Sequence, residues 1–370
     1  MRALLLCGLL LLAPVDTGPA ATLPPAETSE YLDAVDLSAW DDFFLSQEGA
    51  AAGQRPSALA RRIAEGESDP TELLAWLKDR SLAGLPDAAA LCVLALITGV
   101  MAALLETLLD APSVPARRVL SVGLAALLLI RLLPLIRRGL RCMEGILSLA
   151  DATVPLMTGA LLLLGSPQGA AVMGTVGELL IHTCLRWMTE WLAPLTLSAG
   201  VLRAADLTGD SVLTAVSRLL FTVSRWGVRA ICLGYSLVAA LMGVGAAGMD
   251  SLLLRTGRAA AGSLPLVGSI VSDSLGTTAA CLGLVKGALG RTGMLLAAWQ
   301  TVSPAAELLL HGFGLRTASA LLAPLDQREM GTMLSSLGEM LTVFGALILA
   351  AGAMLGVAVG GAAGCFGGGL

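Results

Sequence analysis

The chain has 370 residues, of which 56% are hydrophobic and only 14% are charged, against roughly 25% charged residues in a typical soluble protein. This composition, with a mean hydropathy of +0.81, excludes a disordered chain and argues against a soluble globular protein. A net charge of −5 without a basic stripe argues against a nucleic-acid-binding protein. We therefore predict an all-α, polytopic membrane protein that lies in the lipid bilayer.

The N-terminus has the features of a secretory signal. Arg2 precedes an apolar run from Ala3 to Ala13, which is too short to span a bilayer. Small residues follow at Gly18, Ala20 and Ala21, where cleavage could occur. Residues 1–21 are therefore predicted to be a cleavable signal peptide, with an uncleaved interfacial anchor as the alternative.

Residues 22–84 form an acidic segment. Residues 1–84 hold 13 of the 28 acidic residues and only 6 of the 23 basic ones. Apolar residues at helical spacing predict short amphipathic helices, which are too small to form a core of their own. Export of the N-terminus places this segment outside the cytoplasm, where we expect it to lie on the membrane surface or on a partner.

Residues 85–370 are predicted to form the transmembrane domain, with about five to seven spans. The stretch 212–229 has an apolar face and separate arginines, which is typical of an interfacial helix. Gly165-Ser166-Pro167 interrupts an apolar run, which predicts two half-helices or a re-entrant hairpin as readily as one span. The apolar stretches lie at 88–105, 119–136, 152–177, 230–249, 259–285, 292–306 and 341–365.

Catalytic and metal-binding patterns are absent from the sequence. The seven cysteines include no CxxC pair, and only two histidines are present, so we expect no metal site and no cofactor. The cysteines lie mostly in apolar runs, where a thiol behaves as a small hydrophobic group. We therefore expect that the chain is not an enzyme.

Glycines recur at every fourth position near the C-terminus and predict a helix-packing face. This spacing lets two helix backbones approach closely, either within one chain or between copies in a homo-oligomer. The row comprises Gly352, Gly356, Gly360, Gly364 and Gly368.

The region 249–291 combines charged residues with apolar arms interrupted by Pro265 and Gly268. Charges beside membrane segments are costly unless they are paired or face water. Arg255, Asp273 and Lys286 are thus candidates for polar contacts or for the lining of a water-filled passage. An ordinary loop, whose Asp273 caps the next helix, explains the same pattern equally well.

The order and spacing of residues in this region resemble the stage III sporulation protein AE family. The match extends from about residue 235 to the C-terminus. It rests on Asp250, Leu254, Arg255, Thr256, Pro265, Val267, Gly268, Ser272 and Asp273.

The resemblance implies a membrane subunit of a multiprotein, secretion-like channel that links mother cell and forespore during sporulation. The implied location is the mother-cell membrane that surrounds the forespore, and the implied partners are other membrane, ring-forming and ATPase subunits. The family implies no catalytic residues. The main alternative is a stand-alone permease for a small solute, because broken helices with Pro and Gly are also typical of transporters.

Overall fold

The computed structural model describes residues 35–46, 55–64, 84–108, 114–163, 167–205, 212–262, 268–325 and 328–362. Every regular element within these ranges is a helix, which confirms the predicted all-α class. The predicted signal peptide, residues 1–21, lies outside the described residues.

Ten α-helices make up most of the described chain. Two π-helical segments, π1 (Met173–Gly177) and π2 (Trp187–Leu192), join α5 to α6 and α6 to α7, and a 3₁₀ turn at Ala323–Leu325 follows α9. The α-helices are α1 Ser38–Ser46, α2 Pro56–Ala64, α3 Leu85–Leu108, α4 Val114–Leu163, α5 Pro167–Val172, α6 Glu178–Arg186, α7 Ala193–Ala205, α8 Val212–Gly262, α9 Gly268–Leu322 and α10 Arg328–Ala362.

Three of these helices are much longer than a single membrane span. The helices α4, α8 and α9 contain 50, 51 and 55 residues. At about 1.5 Å per residue each exceeds 70 Å, whereas the hydrocarbon core of a bilayer is about 30 Å thick. The predicted interfacial helix at 212–229 and the predicted span at 230–249 are therefore not separate elements, since both lie in α8.

The helix is interrupted at Gly165-Ser166-Pro167, as predicted, but a long helix and not one of two half-helices precedes the interruption. Helix α4 ends at Leu163 and α5 begins at Pro167, on either side of the Gly-Ser-Pro sequence. Residues 152–163 are the last three turns of the 50-residue helix α4, which continues through Pro134 and Pro155. The chain thus changes direction where proline and glycine predict it, between one long helix and a series of shorter ones.

The acidic N-terminal segment packs against its own chain. Trp40 of α1 is fully buried, and its indole Nε1 donates a hydrogen bond of 3.1 Å to the Thr153 hydroxyl of α4. The ring of Phe44 lies 5.0 Å from that of Trp299 in α9. The described part of the segment therefore uses its apolar face to dock on the helix bundle, where we had expected it to lie on the membrane surface or on a partner.

A local network shapes this N-terminal unit. The backbone N–H and hydroxyl of Ser57, in α2, both donate to the Asp41 carboxylate of α1, at 3.0 and 2.6 Å. Before α1, the Asp36 carboxylate accepts from the backbone N–H of Ser38 at 3.0 Å. The hydroxyl and the backbone N–H of Ser38 lower the pKa of Asp36, because both stabilise its charged form.

Helix α10 forms the centre of the bundle. It packs most extensively against α9, and α4, α7 and α8 contact its other sides. By length and composition, Ala126–Leu163 and Met330–Gly360 could each cross a membrane, and 78% of the most apolar window of the second is buried inside the protein. Other helices thus separate α10 from the bundle surface. The expected count of five to seven spans stays a prediction.

Candidate functional site

Helices α9 and α10 form an antiparallel pair that is packed to backbone contact. A Cβ atom added at Gly338 would lie 2.7 Å from the Gly312 carbonyl oxygen, and one added at Gly312 would lie 2.9 Å from that of Gly338. Real Cβ atoms essentially never approach other atoms so closely. The two glycines are therefore required where the helices meet.

Glycines on α10 recur along this contact at intervals of seven residues. Gly345 faces the Ala305 carbonyl oxygen, and a Cβ atom added at Gly352 would overlap the Thr301 methyl group. A seven-residue repeat keeps one face of a helix turned toward its partner over several turns. The row consists of Gly331, Gly338, Gly345 and Gly352.

The predicted glycine row with a spacing of four is only partly described. Gly352 packs against α9, and Gly356 and Gly360 are buried on the same helix. Gly364 and Gly368 lie outside the described residues. The described contacts follow the spacing of seven, which the sequence also contains but which the prediction did not include.

Ion pairs connect separate helices beside this core. Arg138 of α4 lies 2.6 Å from the Glu307 carboxylate of α9, whose side chain is only 14% exposed. Arg225 of α8 forms an ion pair with Glu339 of α10. Charges near apolar segments are costly unless paired, and these pairs provide that compensation within the chain.

The two histidines occupy structural positions. His182 of α6 lies 3.5 Å from the Asp151 carboxylate of α4. The Nδ1 atom of His311 lies 2.7 Å from the Glu307 backbone carbonyl, one turn earlier in α9. Across the described residues, no group of three or more His, Cys, Asp or Glu side chains could hold a metal ion.

Helix α8 turns three hydroxyl side chains inward, beside buried apolar ones such as Phe221 and Val228. Thr214, Ser217 and Ser224 are buried, and the hydroxyl of Ser224 hydrogen bonds with that of Thr196 in α7. Hydrogen bonds between hydroxyl groups of neighbouring helices are typical of membrane helix bundles. In lipid, two apolar helix faces gain little free energy by packing together, because lipid tails are equally apolar.

The family-like motif lies around the junction of α8 and α9. Asp250, Leu254, Arg255 and Thr256 belong to α8; Gly268, Ser272 and Asp273 belong to α9, as does Lys286. Pro265 and Val267 lie outside the described residues, and so do the side chains of all the other motif positions and of Lys286. The predicted polar lining by Arg255, Asp273 and Lys286 therefore stays a prediction.

The backbone nevertheless constrains the motif. The apolar stretch 259–285 is divided between two long helices, and Asp273 is the sixth residue of α9. Glu307 and Glu339, which the sequence reading did not single out, are the acidic residues with described interhelical partners in α9 and α10. Their signal in the sequence is a carboxylate with apolar residues on both sides within a long helix.

The sequence-family model of stage III sporulation protein AE matches residues 60–364, which is most of the chain and includes α3 to α10. Neither curated proteins nor solved structures show a match to this chain.

Proposed function

The chain belongs to the stage III sporulation protein AE family, and on that premise we propose that it is an integral membrane subunit of a secretion-like channel between mother cell and forespore. In this proposal it lies in the mother-cell membrane around the forespore and supports late forespore development. It acts as a structural or conduit subunit and not as an enzyme. Its partners are the other membrane, ring-forming and ATPase subunits of the complex.

The family match over residues 60–364 carries this proposal. The structure is compatible with a membrane location, because Met330–Gly360 is long and apolar enough to cross a bilayer and α8 exposes large apolar side chains such as Leu219 and Leu233. In a soluble protein the apolar stripe of a helix faces the core.

Contacts between the helices support a structural role. The ion pair between Arg138 and Glu307 and the glycine contact between Gly312 and Gly338 fix α4, α9 and α10 against one another. A subunit that anchors or lines a larger assembly needs such a fixed framework, since its partners must meet it in one geometry.

Deletion and co-purification test the proposal. In a spore-forming host that encodes this chain, we expect its deletion to arrest spores after engulfment, and we expect a tagged chain to co-purify with ring-forming and ATPase subunits. Normal sporulation without the chain, together with solute transport by the purified chain alone in liposomes, would favour the permease alternative and contradict the channel-subunit proposal.

A substitution at Asp273 tests the polar-lining prediction. We expect Asp273→Ala to reduce spore formation or assembly while the chain still accumulates in the membrane. Asp42→Ala is a matched control, because Asp42 is an exposed carboxylate on α1 at the other end of the sequence. Equal behaviour of the two variants would remove Asp273 from the proposed lining.

A further inference from the structure

Helix α8 presents an apolar stripe to the outside of the bundle. From Val212 to Trp226 its members recur every three or four residues, Leu233 and Leu237 continue it after a step of seven residues, and all are 39–79% exposed. Buried Thr214, Ser217 and Ser224 lie on the opposite side of the helix. The stripe consists of Val212, Val216, Leu219, Val223, Trp226, Leu233 and Leu237.

Arginines follow one edge of this stripe. Arg218, Arg225 and Arg229 are exposed and separated by seven and four residues, which places them on one side of the helix. The sequence between Val212 and Val238 contains no acidic residue. Arg225 pairs with Glu339, and the edge as a whole is positively charged.

Two further tryptophans extend this face onto π2. Trp187 and Trp191 are 59% and 67% exposed, and Trp226 of α8 is 66% exposed. A Cβ atom at Gly227 would lie 2.6 Å from the Leu192 side chain, so π2 and α8 are in contact one residue away from Trp191 and Trp226. Because the two elements touch, we group their exposed indoles and the apolar stripe under one name, the tryptophan face: π2 with residues 212–237 of α8.

We propose that the tryptophan face binds the interfacial layer of a bilayer and selects anionic phospholipid headgroups through Arg218 and Arg229. Residues 212–237 of α8 lie along the membrane surface, with the apolar stripe directed toward the acyl chains and the indoles at headgroup depth. Because α8 is one continuous helix, this orientation replaces the predicted span at 230–249. This inference requires one part of the proposed function, namely that the protein lies in a membrane.

The spacing of the arginines favours this orientation. If α8 stood upright in the bilayer, the 11 residues from Arg218 to Arg229 would spread their charges over about 16 Å of membrane depth. Placing such charges in the hydrocarbon region is costly. A helix lying in the interface keeps all the arginines at headgroup depth, where the anionic phosphates lie.

The chemistry of the face also favours lipid over a protein occupant. Tryptophan is enriched at membrane–water interfaces because its ring is apolar and its N–H group is polar. A helix with a wide apolar face and flanking arginines gains affinity both from apolar burial and from attraction to anionic lipid. The tryptophan face combines these features on adjacent elements.

Quenching of tryptophan fluorescence by brominated lipid tests the inference. The full chain is reconstituted in liposomes of phosphatidylcholine or phosphatidylglycerol that carry bromine at a shallow acyl position. We expect stronger quenching with the brominated phosphatidylglycerol. All variants are made in a W76F background, because Trp76 lies outside the described residues. We expect W187F/W191F/W226F to lose most of this lipid-dependent quenching, because Trp40 is fully buried and Trp299 packs against Phe44.

Arginine variants separate headgroup selection from simple exposure. We expect R218Q/R229Q to lose at least half of the preference for phosphatidylglycerol while it keeps its quenching by phosphatidylcholine. The control R131Q/R137Q removes two exposed arginines of α4 and is expected to keep the preference. Equal quenching by both lipids in the unmodified chain would overturn the proposed selectivity.

Cross-linking addresses a protein occupant of the same face. If no brominated lipid quenched Trp187, Trp191 or Trp226, or if Trp226→Cys cross-linked copies of the chain efficiently in liposomes, a protein would cover the face and the inference would be wrong. A chain that shows the lipid preference but whose deletion leaves sporulation intact would contradict the proposed function alone.

Discussion

The α9–α10 pair and helix α8 are both apolar helical regions, yet their glycines make different contacts. In the pair, Gly312 and Gly338 bring two backbones together. In α8, the atoms nearest to a Cβ atom at Gly227 belong to the Leu192 side chain, and Gly234 has no atom within 4 Å of its Cβ position. Buried hydroxyls share the inner face of α8 with apolar side chains such as Phe221.

This difference shows that hydrophobicity alone does not identify the packed face of a membrane helix. In lipid, an apolar side chain gains little by exchanging an acyl chain for another helix. Close backbone approach and interhelical hydrogen bonds therefore distinguish inside from outside. Helices α9 and α10 are held by close backbone approach, whereas α8 is attached by a hydrogen bond to α7 and an ion pair to α10.

Substitution at the glycine contact should have the largest effect. Gly338→Ala places a methyl group against the Gly312 carbonyl oxygen, and this backbone atom moves only if the helices separate. We expect a loss of about 2 kcal/mol in stability, as for an overpacked core, despite alanine's higher helix propensity. Thermal unfolding in detergent should therefore show a Tm lowered by several degrees.

Gly234→Ala is the matched control for this substitution. It introduces the same methyl group on α8 into open space, so only the change in helix propensity acts. We expect unchanged stability or a gain of up to about 1 kcal/mol. If Gly234→Ala destabilised the protein as much as Gly338→Ala, the two regions would not differ as the contacts indicate.

The ion pair between Arg225 and Glu339 connects the two regions, and breaking it should have a smaller effect. Both side chains are partly exposed, at 46% and 25%, so solvent weakens their attraction. In a double-mutant cycle with R225Q and E339Q, we expect a coupling of about 1 kcal/mol in the free energy of unfolding. This measurement would show how strongly α8 is held to the central helix.

The exposed pair of Arg186 and Glu190 provides the control cycle. These residues lie one turn apart, at 3.9 Å, with side chains 69% and 60% exposed. We expect R186Q and E190Q to show a coupling of at most about 0.5 kcal/mol. A coupling equal to that of Arg225 and Glu339 would mean that the interhelical pair adds nothing beyond a surface contact.

Much of the helical architecture could be predicted from the sequence because it depends on local signals. Apolar composition indicated helices in a membrane, and Gly165-Ser166-Pro167 marked the end of a long helix, as found after Leu163. The order of motif residues also indicated the family, which the match over residues 60–364 confirms.

The contacts within the candidate site could not be predicted in the same way, because they join distant parts of the chain. Arg138 and Glu307 are 169 residues apart, and the sequence shows only that each is a charge near apolar residues. Trp40 likewise lies on the apolar side of a short helix that the sequence suggests is at a surface. Its hydrogen-bond partner Thr153 is 113 residues away. Glycines recur every seven and also every four residues in the sequence of α10. The sequence alone does not show which of these two rows packs against the neighbouring helix.

The smallest effect that we expect concerns the hydroxyl contact between α7 and α8. Single substitutions Thr196→Ala and Ser224→Ala each remove one partner of a buried interhelical hydrogen bond. Such bonds in membrane proteins contribute about 0.6 kcal/mol on average, so we expect a coupling of that size in a double-mutant cycle. Thr222→Ala is the control, because this exposed hydroxyl on α8 bonds only to the Arg218 carbonyl of its own helix. If Thr222→Ala coupled with Thr196→Ala as strongly as Ser224→Ala does, the inward hydroxyls would not hold α8 in place, and the ion pair with α10 would be its main polar attachment.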